Sequence, residues 1–445
     1  MTSADARLLR AIGIRRLTAS IINVTIGAGI FVLPATVAAG LGPAAPIAYL
    51  VCAIAMALVM VCFAAAGSRV SLTGGLYAYI GVAFGPFVGF LAGVLYWLVA
   101  SFAVASVASA FSGSIGVVWA PAAAGVGRAA VLLALFGALA IVNVRGVRHG
   151  SGLVEAMTAA KLVPLIVFVA AGIWFVRADY LAWSRVPTVA EVGRTAIVLI
   201  FAFVGVEVAL VPSGEVRDTA ATVPRALFLA LAATTTLYLL VQGVAQGVLG
   251  PAMSTFAAAP LAEAAGRVLG QSGRLLVLAG ATISMFGYVS GDMLGSPRSL
   301  YALARDGVLP RRLADVHPRF RTPHIAIAVY AVMVAALAVS SSFTQLAILA
   351  NVGSLSLYLV CVAASFELQR TDVRAGGPPF VVPGGPVIPM LAGAMIVWLL
   401  AQATWKEFAV EAIVLAAASV LYAVRATSAG TRPSRRRSSS PLSRL

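Results

Sequence analysis

The sequence predicts an all-α integral membrane protein with twelve transmembrane helices, and three observations carry that prediction. Hydrophobic residues make up 61% of the 445 residues and charged ones only 10%, with a mean hydropathy of +1.00; a soluble domain of this size does not have that balance. The apolar residues fall into twelve runs that match membrane helices in length, at roughly 17–40, 45–67, 86–112, 128–144, 153–176, 194–213, 224–249, 273–297, 323–341, 344–366, 384–403 and 407–424. Summed over alternate connections and the two ends, Arg and Lys fall mostly on one side, as the positive-inside rule requires.

The elements follow in order. Residues 1–16 are polar and basic, and the apolar run behind them is too long for a signal-peptide core, so a cytoplasmic N-terminus without a cleaved leader is expected. The second connection, SRVSLTGGLYAYIGVAFGPF, carries turn-forming glycines and predicts a short surface helix. Residues 257–269 read as another short helix outside the bilayer. Residues 425–445 form a basic, low-complexity tail, read as disordered and able to touch anionic lipid. With the N-terminus inside, 23 of the 31 Lys and Arg residues fall on the cytoplasmic side, 7 on the other, and Lys161 lies within the membrane. Both termini are therefore expected in the cytoplasm, in a multi-pass protein of the cell membrane. The same rule accounts for the net charge of +16 without invoking nucleic acid. Cys52, Cys62 and Cys361 all sit in apolar runs, so reduced thiols are expected, with no disulfide framework, metal site or cofactor.

The first span departs from a regular helix. Its middle reads IINVTIGAGIFVLP, from Ile21 to Pro34, with Gly27 and Gly29 two residues apart and Pro34 a turn later. Each glycine lowers helix propensity by roughly 1 kcal/mol relative to alanine, and proline removes a backbone donor. A close helix contact is one reading of such a stretch. A broken helix whose freed N–H and C=O groups line a polar cavity is the other. The sixth span, IVLIFAFVGVEVALVPSGEVRD, repeats the pattern with Gly205 at mid-depth, Glu207 beside it and Pro212 beyond. Paired breaks opening two five-helix units (17–176 and 194–366), with helices 384–424 added, suit an inverted repeat with a solute site between its halves.

The motifs IGAGIF (26–31), TGGLYAY (73–79), FAFVGVE (201–207), GEVRD (214–218), VPRAL (223–227), RSLYALARDGVLP (298–310) and PFVVPGGPVIP (379–389) occur in this order. Together they resemble the amino acid–polyamine–organocation superfamily of permeases across nearly the whole chain. The resemblance implies the 5+5 inverted-repeat fold of leucine-transporter type and an amino acid held at the two breaks. It places the substrate carboxylate on the amides of Ala28, Gly29 and Ile30. It places the ammonium on carbonyls of Val24, Ile26, Phe201 and Val204, with Gly27, Gly29 and Gly205 leaving room for the ligand. Helix termini favour the same arrangement, since N–H groups at a helix start attract anions and free carbonyls attract cations. Phe201 matches an aromatic gate position in relatives, and helix packing is its plainer reading.

Three ionisable residues stand at membrane depth, each costly unless paired or hydrated: Lys161, Glu207 and Asp292. By resemblance, Lys161 stands where relatives use an ammonium in place of a sodium ion, which would make the proton the coupling ion. Glu207 reads either as a cap on freed amides or as a proton-sensitive gate. Asp292 reads as a cavity residue favouring a cationic group, a partner of Lys161, or a residue of a hydrated vestibule. No nucleophile–base or metal-ligand constellation marks an enzyme. The sequence thus predicts a secondary active amino acid permease, with proton-coupled uptake of a neutral amino acid preferred. An amino acid/polyamine exchanger with a cationic substrate and a non-transporting amino acid sensor remain the alternatives.

Overall fold

A computed structural model describes residues 13–70, 75–146, 151–207, 216, 219–305, 309–374, 379–382 and 384–430. Thr73, Gly74, His149, Pro212, most of GEVRD, Asp306, Pro383 and residues 431–445 lie outside the described residues. The chain is all-α. Its helices are α1 (Ile14–Thr25), α2 (Gly29–Leu41), α3 (Ala45–Arg69), α4 (Leu76–Phe84), α5 (Pro86–Gly116), α6 (Gly125–Arg145) and α7 (Ser151–Gly172). After a connection come α8 (Val189–Leu199), α9 (Thr219–Leu249), α10 (Pro260–Arg305), α11 (His324–Ser340), α12 (Phe343–Arg370), α13 (Val387–Leu400) and α14 (Trp405–Gly430).

Among the described residues, seven helical stretches are long and apolar enough to cross a membrane, and three shorter apolar helices accompany them. α1 and α8 are of another kind. With 12 and 11 residues they reach about 18 Å at 1.5 Å per residue, little more than half of a hydrocarbon core of about 30 Å. Each runs into a break instead of continuing.

Burial sets the order of the bundle. α12 is the more enclosed, burying the consecutive run Ala350 to Leu355 in a helix packed against α5, α3 and α13. α14 is its opposite, exposing Ile413, Val420, Leu421 and Val424, as a helix facing lipid does. α1 packs on α9, and α2 packs on α8, which brings the two broken segments together.

Both short helices expected between the spans occur. The one at 257–269 opens α10 and meets the eighth span across a kink at Gly270, with φ 67° and ψ −160°, a backbone state open to glycine at little cost. The helix expected on the surface between α3 and α5 is half-buried: α4 turns Leu76, Tyr79 and Ile80 inward. Gly67 of α3 lies so close to the Tyr79 hydroxyl that a Cβ there would stand 3.0 Å from it.

Candidate solute site at the two helix breaks

The first break begins where α1 loses its register. Ile26 N–H still reaches the Ile22 carbonyl at 2.9 Å, but Gly27 N–H turns back to Thr25 O at 2.9 Å. α2 then starts at Gly29 with Ala28 as an N-cap that supplies no side-chain acceptor. The first amides of a helix have no partner within it, so Ala28, Gly29 and Ile30 open α2 with N–H groups directed back into the break. On the other side, Lys161 of α7 is buried and its Nζ donates to the carbonyl of Asn23, in the last turn of α1.

The second break follows α8. Asn351 Nδ2 of α12 donates to the carbonyls of Ile197 (2.7 Å) and Val198 (3.3 Å), which finish the helix. A 3-10 turn over Ile200–Ala202 follows, and Gly205 adopts φ +108°, which a side chain would strain. Glu207 is buried; its Oε2 accepts from Gly205 N at 3.0 Å and from Tyr358 Oη at 2.6 Å. The carboxylate thus takes up one amide of the break, Gly205 N–H, and one phenol hydroxyl.

One residue ties the breaks together. The Tyr238 hydroxyl of α9 lies 3.1 Å from Thr25 O and 2.9 Å from Ala202 O, sharing its proton between carbonyls of both breaks. Sequence reading missed it, as it missed Asn351 and Tyr358. An isolated polar residue within an apolar span was the available signal, but the partner of each lies far away along the chain.

Between the breaks lies a cavity of about 90 Å³, whereas the pocket beside Phe31 and Met285 has about 10 Å³, the lower limit for one water. Gly27, Ala28 and Gly29 line the larger cavity on one side, and Phe201, Val204, Gly205 and Glu207 on another. Val24 joins them, while the side chains of Ile26 and Ile30 are buried in packing. The two glycines of the first break do different things. A Cβ on Gly27 would meet nothing within 4 Å, whereas one on Gly29 would stand 2.9 Å from both Cα and Cβ of Ala202. Gly29 is thus a close-packing contact between the breaks, and Gly27 is the one that leaves open space.

The other singled-out residues fall at and beyond the rim. The Phe201 ring stands edge-on to Phe343 at 5.6 Å. The start of α12 is held there by Ser106 Oγ donating to Phe343 O at 2.9 Å. Arg128 secures the preceding turn, donating to the carbonyls of Ala338, Val339 and Ser341. Asp292 is not among the residues lining the cavity. Its Oδ2 accepts from Tyr330 Oη at 2.6 Å and its Oδ1 from Ser296 Oγ at 2.7 Å, while Lys161 turns to Asn23.

Membrane-spanning helices interrupted around an internal solute-sized cavity define a class, the multi-pass membrane transport proteins. The chain belongs to the amino acid permease family, whose model matches residues 12–421. It is 35% identical to an uncharacterized transporter of Mycobacterium tuberculosis over 78% of each chain. It is 28% identical to the methylthioribose transporter of Bacillus subtilis over 92% of each chain. With the serine/threonine exchanger of Bacillus subtilis it shares 27% identity over 88% of this chain and 90% of that one. The family covers cargo as different as a thiosugar and hydroxylated amino acids, so membership alone does not name what this chain carries.

Proposed function

We propose that the chain is a secondary active transporter that takes up a neutral amino acid with protons by alternating access. Its helices would form two inverted five-helix repeats, 17–176 and 194–366, followed by the helices within 384–424. Both termini would face the cytoplasm across the cell membrane. The observation that carries the reading is the cavity between the two breaks. It meets the N–H end of α2 at Ala28 and Gly29 and the irregular backbone from Phe201 to Gly205. An α-carboxylate suits the first and an α-ammonium the second.

A neutral side chain is favoured because the charged groups near the cavity are already engaged. Glu207 receives two donors, and Asp292 lies outside the lining with two donors of its own. A polyamine would need an unengaged carboxylate. Proton coupling is assigned to Lys161, buried at the first break and bound to a carbonyl of α1. Loss of its proton removes that donor and loosens α7 from α1. Obligatory exchange is the second reading, favoured by the likeness to a serine/threonine exchanger.

Thermal-shift screening of the purified full chain against the twenty amino acids and common polyamines tests the substrate reading, since a specific ligand raises the melting temperature with occupancy. A neutral amino acid should stabilise the protein, and Gly27→Leu, which fills open space, should abolish that shift while the protein stays folded. Stabilisation by polyamines alone, or an unchanged shift in Gly27→Leu, would overturn it. Uptake into vesicles without internal substrate separates symport from exchange.

A further inference from the structure

The cavity has two unlike ends. Tyr96, Val99, Ala103 and Val107 all line it from α5, at spacings of three and four residues that place them along one helix face. The Val107 end is the apolar one: the neighbouring Ser106 is bonded to Phe343 O, and Phe343 stacks edge-on against Phe201. Tyr96 lies eleven residues earlier on α5, about 16 Å away along the helix. There the lining includes the oxygen-bearing side chains of Tyr96, Tyr288 and Glu207, which lie within electrostatic reach of one another, with Asp292 near both tyrosines.

The tyrosines at and around the site divide into two groups. Tyr238, Tyr330 and Tyr358 each donate to a named carbonyl or carboxylate at 3.1 Å or less. Tyr96 and Tyr288 have no hydrogen-bond partner among the described residues, and these are the two that line the cavity. Glu207, between them in kind, is held by Gly205 and Tyr358. The engaged hydroxyls build the protein; the two unengaged ones are left for what enters.

We infer that the transported amino acid carries a neutral hydrogen-bonding side chain, a hydroxyl or a carboxamide, read by the hydroxyls of Tyr96 and Tyr288. The inference rests on the amino acid reading above and narrows it. A solute whose backbone groups sit at the breaks occupies the middle of the cavity. The Phe201–Phe343 contact caps one direction, and the tyrosine end is the other. An aliphatic side chain placed there would displace water from two phenol hydroxyls and offer them nothing. Sites built to hydrogen-bond a solute discriminate strongly against the analogue that lacks the group, because buried polar atoms are then left unpaired.

The test uses isosteric pairs. Binding of threonine and valine, which exchange a hydroxyl for a methyl, is measured on the purified full chain, with asparagine and leucine as the carboxamide pair. In the wild type, threonine or asparagine should bind at least about 10-fold more tightly than its apolar counterpart. Tyr96→Phe and Tyr288→Phe, each losing one oxygen and keeping the ring, should bring that ratio several-fold closer to 1, and the two singles serve if the double variant fails to fold. Valine and leucine binding as tightly as their partners in the wild type overturns the inference and leaves the amino acid reading standing. So does a ratio that neither single variant moves. Binding of none of the amino acids overturns both.

Discussion

The two breaks solve one problem with opposite charges. Interrupting a helix inside a membrane strands carbonyls on the half that ends and amides on the half that begins. At the first break, the stranded group that draws a buried side chain is a carbonyl, Asn23 O, and the side chain is the cation Lys161. At the second it is an amide, Gly205 N, and the side chain is the anion Glu207. At the first break the choice follows the sign of the helix dipole at the C-terminal end of α1. At the second break, side chains of α12 also engage the chain: Asn351 takes the carbonyls of Ile197 and Val198, and Tyr358 takes the carboxylate. The first has an amide end that its N-cap residue, Ala28, does not cap with a side chain. On the reading proposed above, the first break offers open N–H groups to the substrate carboxylate beside a cation that can lose its proton, and the second offers backbone carbonyls to the ammonium beside a carboxylate already held by Gly205 and Tyr358.

The largest effect expected from this contrast is at Lys161. Lys161→Met should leave a folded protein that still exchanges labelled substrate in proteoliposomes but no longer concentrates it under an imposed inward proton gradient. Glu207→Gln keeps an acceptor for Gly205 and Tyr358 and should retain most of the gradient response. If Glu207→Gln loses the response and Lys161→Met keeps it, the coupling charge belongs to the second break.

The next effect separates the two glycines. Gly29→Leu drives a side chain into the Ala202 backbone and should cost about 3 kcal/mol or more, the upper range for overpacking, visible as a lowered melting temperature without ligand. Gly27→Leu should leave that temperature near the wild-type value. Equal destabilisation by both would mean that Gly27 is also a packing contact.

Tyr238→Phe comes third. It removes the one donor shared by Thr25 O and Ala202 O and should destabilise by about 1–3 kcal/mol, the cost of leaving a buried acceptor unpaired. A change below a few tenths of a kcal/mol would show that the breaks hold together without it.

The smallest effect is at the start of α8, outside the membrane-spanning segments. Arg185 makes two bonds to Glu191, which also accepts from Thr188, and these partners hold its carboxyl at about 2, below the usual 4.5. A depressed carboxylate contributes its stability above the unfolded value and loses it as pH falls through the folded one. The cap of α8 should therefore loosen between about pH 4.5 and pH 2, read as faster amide exchange over residues 189–193. Glu191→Gln should flatten that dependence. α1, whose N-cap Gly13 supplies no side-chain acceptor, should show no such transition.

Much of this architecture is legible from local chemistry. The helices expected at 45–67, 86–112 and 344–366 occur as α3, α5 and α12 because length and hydropathy are properties of a short window. The interruptions at Gly27–Gly29 and Gly205 are legible because glycine alters the backbone wherever it stands. Lys161 stood out as a lone cation in an apolar run, and the structure gives it the carbonyl of Asn23 as its partner. The distinct duties of Gly27 and Gly29 could not be read this way, since both lack a side chain and only Ala202, 173 residues from Gly29, tells them apart.

By itself, then, the sequence determined where several of the long apolar helices lie, where two shorter ones break, and which charges are buried among them. These follow from hydropathy, from backbone freedom at glycine and proline, and from the cost of a charge in hydrocarbon. Tertiary structure decided which stranded group each charge serves. It set Asp292 on Tyr330 and Ser296 rather than among the residues lining the cavity, and it left Tyr96 and Tyr288 unengaged beside that cavity. A hydrogen bond depends on a few tenths of an ångström and on direction, and Tyr238 and Thr25, 213 residues apart, acquire that relation only when the helices pack.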